Sequence, residues 1–235
     1  MVIERKATVG AIAAAMPDAL PVFQRLGIDF CCGGKKPLQD ALAEKHLDEE
    51  QFFGLVEEER ANRNSSAQPA DFTDMSPTVL TAYIEDTHHD YLRRTLPEID
   101  KLLLAVLRAH GKNHRELFEA YRLFGRLKTE LEQHLIREET MLFPALAQAE
   151  AQERNIMTLA TEIIKEHEGA GILLEQLHRV TGDFTLPADA CQSYRRVYAL
   201  LPELENDLHR HIHLENNILL ENFDMRRKEE AGDGR

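Results

Sequence analysis

The chain has 235 residues, 43% of them hydrophobic and 29% charged, which suffices for two domains with buried cores. Its formal net charge of −13 argues against nucleic acid or an anionic membrane surface as a partner. It lacks the apolar run of about 18 residues that predicts a transmembrane helix, and three cysteines are too few for a disulfide framework. The early VGAIAAAM run is too short and alanine-rich for a signal peptide, so we expect a cytoplasmic protein.

Residues 1–60 are predicted to form a small helical domain. Short helices are expected at 8–16, 18–26, 37–45 and 48–59, separated by prolines and by a glycine-rich turn. The following segment, 61–75, is polar and nearly without periodicity, so we interpret it as a linker.

The glycine-rich turn carries the stretch GIDFCCGGKKPL, in which Cys31 and Cys32 directly precede Gly33 and Gly34. Two thiols alone cannot complete a structural zinc site, which normally takes four ligands. Two alternatives stay open for the pair. The cysteines are either small buried apolar residues beside a turn or thiols with a chemical role.

Residues 76–228 are predicted to form an antiparallel four-helix bundle, followed by a tail at 229–235. Four long helical stretches are expected at 77–108, 114–150, 155–180 and 187–228, joined by short connections, with a break near Gln152. Pro97, Pro144 and Pro202 are expected to bend or end helices locally. The predicted fold class is therefore all-α, with a small N-terminal helical domain and a four-helix bundle.

The two halves of the predicted bundle repeat one pattern of histidine and glutamate. The second helix carries a histidine and a glutamate four residues apart, and the fourth helix carries the same pair 77 positions later, from 134 to 211 and from 138 to 215. The first and third helices each contribute one histidine, at 89 and 167, which are 78 positions apart. The six residues are His89, His134, Glu138, His167, His211 and Glu215.

All six residues fall on apolar seams if the helices keep a regular period. The expected seam of the second helix runs through Glu138 to Met141, and that of the first runs through Ala82 and Glu85 to His89. A single histidine on such a seam is usually a hydrogen-bonded core residue. A set of four imidazoles and two carboxylates is a different case from a single core histidine. Burying these groups without a compensating charge or partner would cost several kcal/mol for each of them. Metal cations offset that cost, and bundle cores are places where facing helices build metal sites.

The donor types indicate which metal the six residues would bind. Imidazole and carboxylate without thiolate disfavour structural zinc and copper(I). The His-x-x-x-Glu spacing lets a histidine bind one metal while the glutamate bridges to a second. We therefore predict two iron ions with carboxylate and oxo or hydroxo bridges, and we regard manganese as the less favoured choice.

These motifs resemble those of the repair-of-iron-centres proteins, also called the ScdA/YtfE family, which contain a hemerythrin-like domain. DFCCGGKK is similar to the signature of the family's N-terminal domain, and HHDYLRRTLPEI, EQHLIREETMLFP, KEHEGAG and HIHLENNIL are similar to its di-iron motifs in order. The resemblance covers about residues 5–225 and implies the same six ligands. It also implies that Glu130 and Glu166 are acidic residues that support the ligands, the alternative for both being a solvated helix face. Leu220-Glu221 replaces the family's Phe-Pro, which leaves the geometry of the last helical turn open.

The resemblance implies a stress protein that helps to repair iron–sulfur clusters damaged by nitric oxide or peroxide. Its partners would be damaged iron–sulfur proteins, and donation of iron to them is one route to repair that stays open. Thiolates at Cys31 and Cys32 could receive, pass or sense iron, or take up NO. A di-iron enzyme that reduces nitric oxide or consumes peroxide, and a hemerythrin-like carrier or sensor of O₂ or NO, are the alternatives. The thiol pair favours repair over the carrier, because a simple carrier needs no thiols. A homodimer is compatible with the resemblance, although the sequence shows no interface.

Overall fold

The computed structural model describes residues 7–62 and 71–224, and over these ranges it confirms the all-α fold class. Most of the predicted linker, residues 63–70, lies outside the described residues, as do residues 225–228 of the predicted fourth helix and the tail 229–235. Among the described helices, none combines the length and the apolar character that a membrane span requires.

The helices divide into a short N-terminal set and a longer following set. The short helices are α1 (Val9–Ala15), α2 (Ala19–Leu26), α3 (Leu38–Glu44) and α4 (Glu49–Asn62). The following helices are α5 (Pro77–Ile84), α6 (Asp90–His110), α7 (Glu116–Arg137), α8 (Phe143–Leu146), α9 (Ala149–Thr181) and α10 (Gln192–Leu214).

Within residues 71–224, three five-residue π-helical segments interrupt or extend the long helices. The first, π1 (Glu85–His89), joins α5 to α6; the second, π2 (Glu138–Leu142), joins α7 to α8; and π3 (Glu215–Leu219) follows α10. Residues 220–224 then continue as helix. The replacement of Phe-Pro by Leu220-Glu221 therefore does not break the described helix.

The helix ends follow local chemistry. Thr8 caps α1, because its hydroxyl accepts a hydrogen bond from the Ala11 amide at 3.2 Å. Gly27 ends α2 with a left-handed φ of 60°, a conformation that glycine adopts without steric cost. Asp48 and Gln51 bond to each other's backbone amides at 2.8 and 3.0 Å, which forms a capping box at the start of α4.

The described residues form two compact units, one made of those up to residue 80 together with those from residue 209 onward, and the other made of residues 81–208. In the first unit, Phe23 packs against Phe52 with ring centroids 4.9 Å apart, and Ile212 of α10 belongs to the same apolar core. The predicted domain limits 1–60, 61–75 and 76–228 remain a proposal. The structure adds that the last part of α10 packs with the N-terminal helices.

The second unit is a bundle of α6, α7, α9 and the part of α10 up to residue 208. Its core consists mainly of leucines from all four helices, for example Leu96, Leu127, Leu174 and Leu204. Pro97 lies inside α6, which continues past it, and α10 likewise continues past its own proline at position 202.

The predicted break near Gln152 is wrong. The interruption falls at Ala147 and Gln148, and α9 starts at Ala149. Pro144 lies in the first turn of the short helix α8, where a missing amide donor is tolerated. The break therefore comes directly after α8, about four residues before the position near Gln152 that the polar composition indicated.

The π-helical segments correct the predicted seams. Each adds a residue to the turn, and around π1 and π2 the buried positions shift by one relative to an α-helix. Met141 was expected on the seam but is 50% exposed, whereas its neighbour Leu142 is fully buried. Before π1, Ala82 is exposed and Ile84 takes the buried position.

Candidate metal centre

Three of the six predicted ligands lie on the π-helical segments. His89 is the last residue of π1, Glu138 is the first of π2, and Glu215 is the first of π3. Such segments are frequent at functional sites, and the extra residue rotates the side chains that flank it.

In the second unit, four of the predicted ligands come together and are buried: His89, His134, Glu138 and His167. The Glu138 carboxylate oxygen Oε2 lies 3.4 Å from Nε2 of His89 and 3.3 Å from Nε2 of His134. Nε2 of His167 lies 3.2 Å from Nε2 of His134. Imidazole nitrogens thus converge on one carboxylate, as they do around shared metal ions.

The other ring nitrogen of His89 is held by an acidic residue that the sequence did not single out. Its Nδ1 bonds to Glu139 Oε1 at 2.7 Å, and Glu139 also pairs with Arg93. A carboxylate on Nδ1 fixes the ring and leaves Nε2 as the donor atom for a metal.

His134 repeats the arrangement with a carboxylate from α9 and an arginine from its own helix, α7. Its Nδ1 bonds to Glu166 Oε2 at 2.9 Å, and Glu166 pairs with Arg137. Burial acts to raise the pKa of Glu166, but the hydrogen bond from His134 and the nearby positive charges lower it overall, which keeps it ionised. The role predicted for Glu166 therefore has a contact to support it, although with His134 rather than with its neighbour His167.

Glu130, the other predicted supporting residue, is exposed. Its carboxylate accepts hydrogen bonds from Arg126 one turn earlier on α7, at 3.0 and 3.2 Å. This contact corresponds to the alternative of a solvated helix face.

The remaining two predicted ligands lie in the first unit. His211 and Glu215 are fully buried, and Nε2 of His211 lies 2.8 Å from Oε1 of Glu215. The neighbouring histidine His213 is also buried, and burial lowers its pKa to about 4, so that it is neutral at physiological pH. His88, which was not predicted to bind metal, bonds to Asp207 at 2.9 Å within the second unit.

The residues present fit a metal site. Each unit places buried imidazole nitrogen within about hydrogen-bond distance of a buried carboxylate, and a carboxylate is costly to bury without positive charge. The donors are nitrogen and oxygen without sulfur, which suits iron, manganese or zinc in a mixed-ligand site.

The cysteine pair lies on the turn after α2, in the first unit. Cys31 is buried and Cys32 is partly exposed, and their sulfur atoms are 3.9 Å apart. The Asp29 carboxylate accepts hydrogen bonds from both cysteine amides, at 3.0 and 2.9 Å, and from the Cys31 thiol at 3.2 Å. The hydrogen bond with Cys32, burial, and the charge of Asp29 raise the pKa of Cys31 well above its ordinary value. Cys31 is therefore a thiol at neutral pH.

The two glycines after the cysteines are explained by residues of this chain. A Cβ at Gly33 would lie 2.9 Å from the Asp29 carbonyl oxygen, and a Cβ at Gly34 would collide with the Asn217 side chain. The Asn217 amide donates to the carbonyl oxygens of Phe30 and Cys31 at 3.0 and 3.3 Å. Gly34 thus lets π3 approach the cysteine turn.

The fold and the buried imidazole and carboxylate donors define an all-α protein with a metal-binding helical bundle. Residues 80–222 match the model of the hemerythrin HHE cation binding domain, and residues 5–59 match ScdA_N, a domain of unknown function (DUF542). The chain is 34% identical to the iron-sulfur cluster repair protein YtfE of Musicola paradisiaca, over 92% of this chain and 95% of the relative. It is 28% identical to the iron-sulfur cluster repair protein ScdA of Staphylococcus haemolyticus, over 94% of this chain and 99% of the relative.

The chain therefore belongs to the hemerythrin-like family of iron-sulfur cluster repair proteins that includes ScdA and YtfE.

Proposed function

We propose that the six predicted ligands bind two iron ions and that the protein uses them to repair iron–sulfur clusters damaged by nitric oxide or oxidants. The observation that carries the proposal is the buried group of His89, His134, Glu138 and His167, in a chain that matches repair proteins over nearly its full length. The 77-residue repeat supports the addition of His211 and Glu215 to the same site.

The roles of the protein residues follow from their contacts. Glu138 lies close to histidines from two elements, which suits a bridge between two ions, and Glu215 is its counterpart in the repeat. Glu139 and Glu166 hold the imidazoles so that Nε2 is available for metal. Bound ferrous iron would supply exchangeable metal and reducing electrons, and the buried surroundings would slow its loss to water.

The proposed partners follow from the names of the relatives and from the donor set. We expect damaged iron–sulfur proteins as clients, and NO, O₂ or peroxide as small ligands. We also propose a cytoplasmic location, supported by the free thiols of Cys31 and Cys32. A homodimer is proposed from the family resemblance, and light scattering at micromolar concentration would show a mass of twice 26.9 kDa if it forms.

The proposal is tested by reactivation of a damaged [4Fe–4S] enzyme under anaerobic conditions. Reduced protein that carries about two irons per chain should restore the activity of an NO-treated dehydratase faster than an equal amount of free ferrous ion. Glu138→Ala, which removes the proposed bridge, should lose iron and reactivation together. Reactivation by the iron-loaded protein no faster than by free iron would contradict the repair role.

The same samples separate repair from reduction of nitric oxide. After mixing with NO, the N₂O formed per di-iron site is measured. Stoichiometric N₂O without reactivation would favour the enzyme alternative. Reactivation without N₂O would favour iron donation.

A further inference from the structure

A second group of metal-binding side chains lies in the second unit, at the opposite end of α6 from His89. His110 is the last residue of α6, His114 lies in the turn that leads to α7, and Asp189 lies between α9 and α10. Because α6 has 21 residues and rises about 1.5 Å per residue, roughly 30 Å separate this group from His89.

The donor atoms of these three residues lie at distances that one ion could span. Nε2 of His114 is 2.9 Å from Oδ1 of Asp189, and Nδ1 of His110 is 4.0 Å from Oδ2 of Asp189. All three donors lie within 4.8 Å of one another. Two ligands that are each about 2.1 Å from a common metal lie no more than about 4.2 Å apart, so small adjustments would complete a site.

The two imidazoles are oriented by their surroundings. Nδ1 of His114 bonds to Glu116 at 3.1 Å, which leaves Nε2 directed at Asp189. The buried ring of Tyr194 contacts both imidazoles edge-on, with centroids 5.4 Å from His110 and 6.0 Å from His114. Glu116 thus orients one proposed ligand, and Tyr194 packs against both imidazoles. These supports distinguish the group from a chance contact between surface side chains.

We propose that His110, His114 and Asp189 form a solvent-accessible binding site for a divalent transition-metal ion such as Fe²⁺, Zn²⁺ or Co²⁺. Two imidazoles and one carboxylate suit these ions better than Mg²⁺ or Ca²⁺, which prefer oxygen donors. The side chains are 13%, 18% and 54% exposed, so water can fill the remaining coordination positions and the ion can exchange. The inference stands independently of the proposed repair function.

The test uses cobalt titration of the tag-free, iron-loaded protein. Equilibrium dialysis should show one additional Co²⁺ per chain, with weak visible absorption typical of nitrogen and oxygen donors. Cobalt bound by cysteine would instead add near-ultraviolet thiolate absorption, and a variant with all three cysteines changed to serine should keep the additional ion. Iron is measured in parallel, so that displacement from the buried centre is detected.

Variants identify the ligands. His114→Gln and Asp189→Asn should each weaken cobalt binding at least ~10-fold, and Glu116→Gln, behind His114, should weaken it by a factor on the order of 10. His46→Asn is the matched control, because His46 is exposed and its φ of 57° is tolerated by asparagine. No additional cobalt in the parent protein, or unchanged affinity in folded Asp189→Asn, would overturn the proposal. The contacts would then only hold the α6–α7 turn to the segment between α9 and α10.

Discussion

At the scale of single residues, carboxylates orient two of the histidines proposed as metal ligands. His89 and His134 use Nδ1 to bind Glu139 and Glu166, and each of these carboxylates also pairs with an arginine. The carboxylate keeps the imidazole in the tautomer that offers Nε2 to metal. The chain thus builds two similar supports from residues distant in sequence.

We expect Glu139→Gln and Glu166→Gln to weaken iron binding by roughly 10- to 100-fold, because an amide supports the imidazole less strongly than a carboxylate. Glu130→Gln is the matched control, since Glu130 is exposed and pairs with Arg126. Competition with a ferrous chelator measures the affinities. Equal iron loss in all three variants would show that Glu130 supports the centre as well.

A second residue-scale prediction concerns His178, which bonds to Glu205 at 2.7 Å and to Asp183 at 3.1 Å. Partial burial acts to lower the pKa of His178, but the two carboxylates raise it overall. A raised pKa means that the folded state binds the proton more tightly, so this stabilisation is fully present below pH ~6.5 and is lost as pH rises through the folded pKa.

His178→Gln should therefore reduce the free energy of unfolding more at pH 5.5 than at pH 8.5. Urea unfolding of the two proteins at both pH values measures the difference. His46→Gln, at an exposed site, controls for general effects of losing a histidine. A difference that grows with pH would contradict the assignment.

At the scale of secondary structure, the π-helical segments explain most of what the sequence could not predict. The sequence could predict the helix caps, which follow from local chemistry. It could also predict the burial of His134 and Glu138 and of their counterparts in the repeat, which follows from the helical period of 3.6 residues. One inserted residue changes the phase without leaving a composition signal, so Met141 was placed on the wrong face. Glu139 was missed because its contact with His89 joins residues 50 positions apart.

The cysteine turn also depends on an element-scale contact, between π3 and Gly34. In a Cys191→Ser background, Gly34→Ala should displace the Asn217 side chain and expose Cys31, which raises its reaction rate with a thiol reagent. Gly54→Ala is the control, because a Cβ there meets nothing within 4 Å and should stabilise α4 by up to about 1 kcal/mol. An unchanged labelling rate in Gly34→Ala would show that the turn tolerates the methyl group.

At the scale of the whole molecule, one short segment serves both the proposed iron site and the thiol turn. Glu215 opens π3, and the next two residues, Asn216 and Asn217, donate hydrogen bonds to the Cys31 carbonyl oxygen at 3.3 Å. These contacts involve the backbone of Cys31 and leave its sulfur unengaged by the asparagines. A change in the thiols therefore need not disturb the proposed ligand.

We expect the variant Cys31→Ser/Cys32→Ser to fold, keep both irons and still react with NO, while its repair activity falls. Serine retains the backbone bonds to Asp29, Asn216 and Asn217 but removes the sulfur chemistry. Iron content, N₂O yield and reactivation of a damaged cluster enzyme are the measurements. Undiminished repair by a folded, iron-replete variant would contradict a role for the thiols.

The make-up of the first unit constrains the order of events during biosynthesis. Asn217 reaches Phe30 across 187 positions of sequence, so the cysteine turn is synthesised well before the asparagine that donates hydrogen bonds to it. Until residues 211–217 are synthesised, Cys31 lacks the asparagine contacts that fix its turn, and the ligands His211 and Glu215 are absent. Assembly of the proposed six-ligand site therefore requires synthesis up to Glu215, and a shorter nascent chain carries both thiols without the complete ligand set.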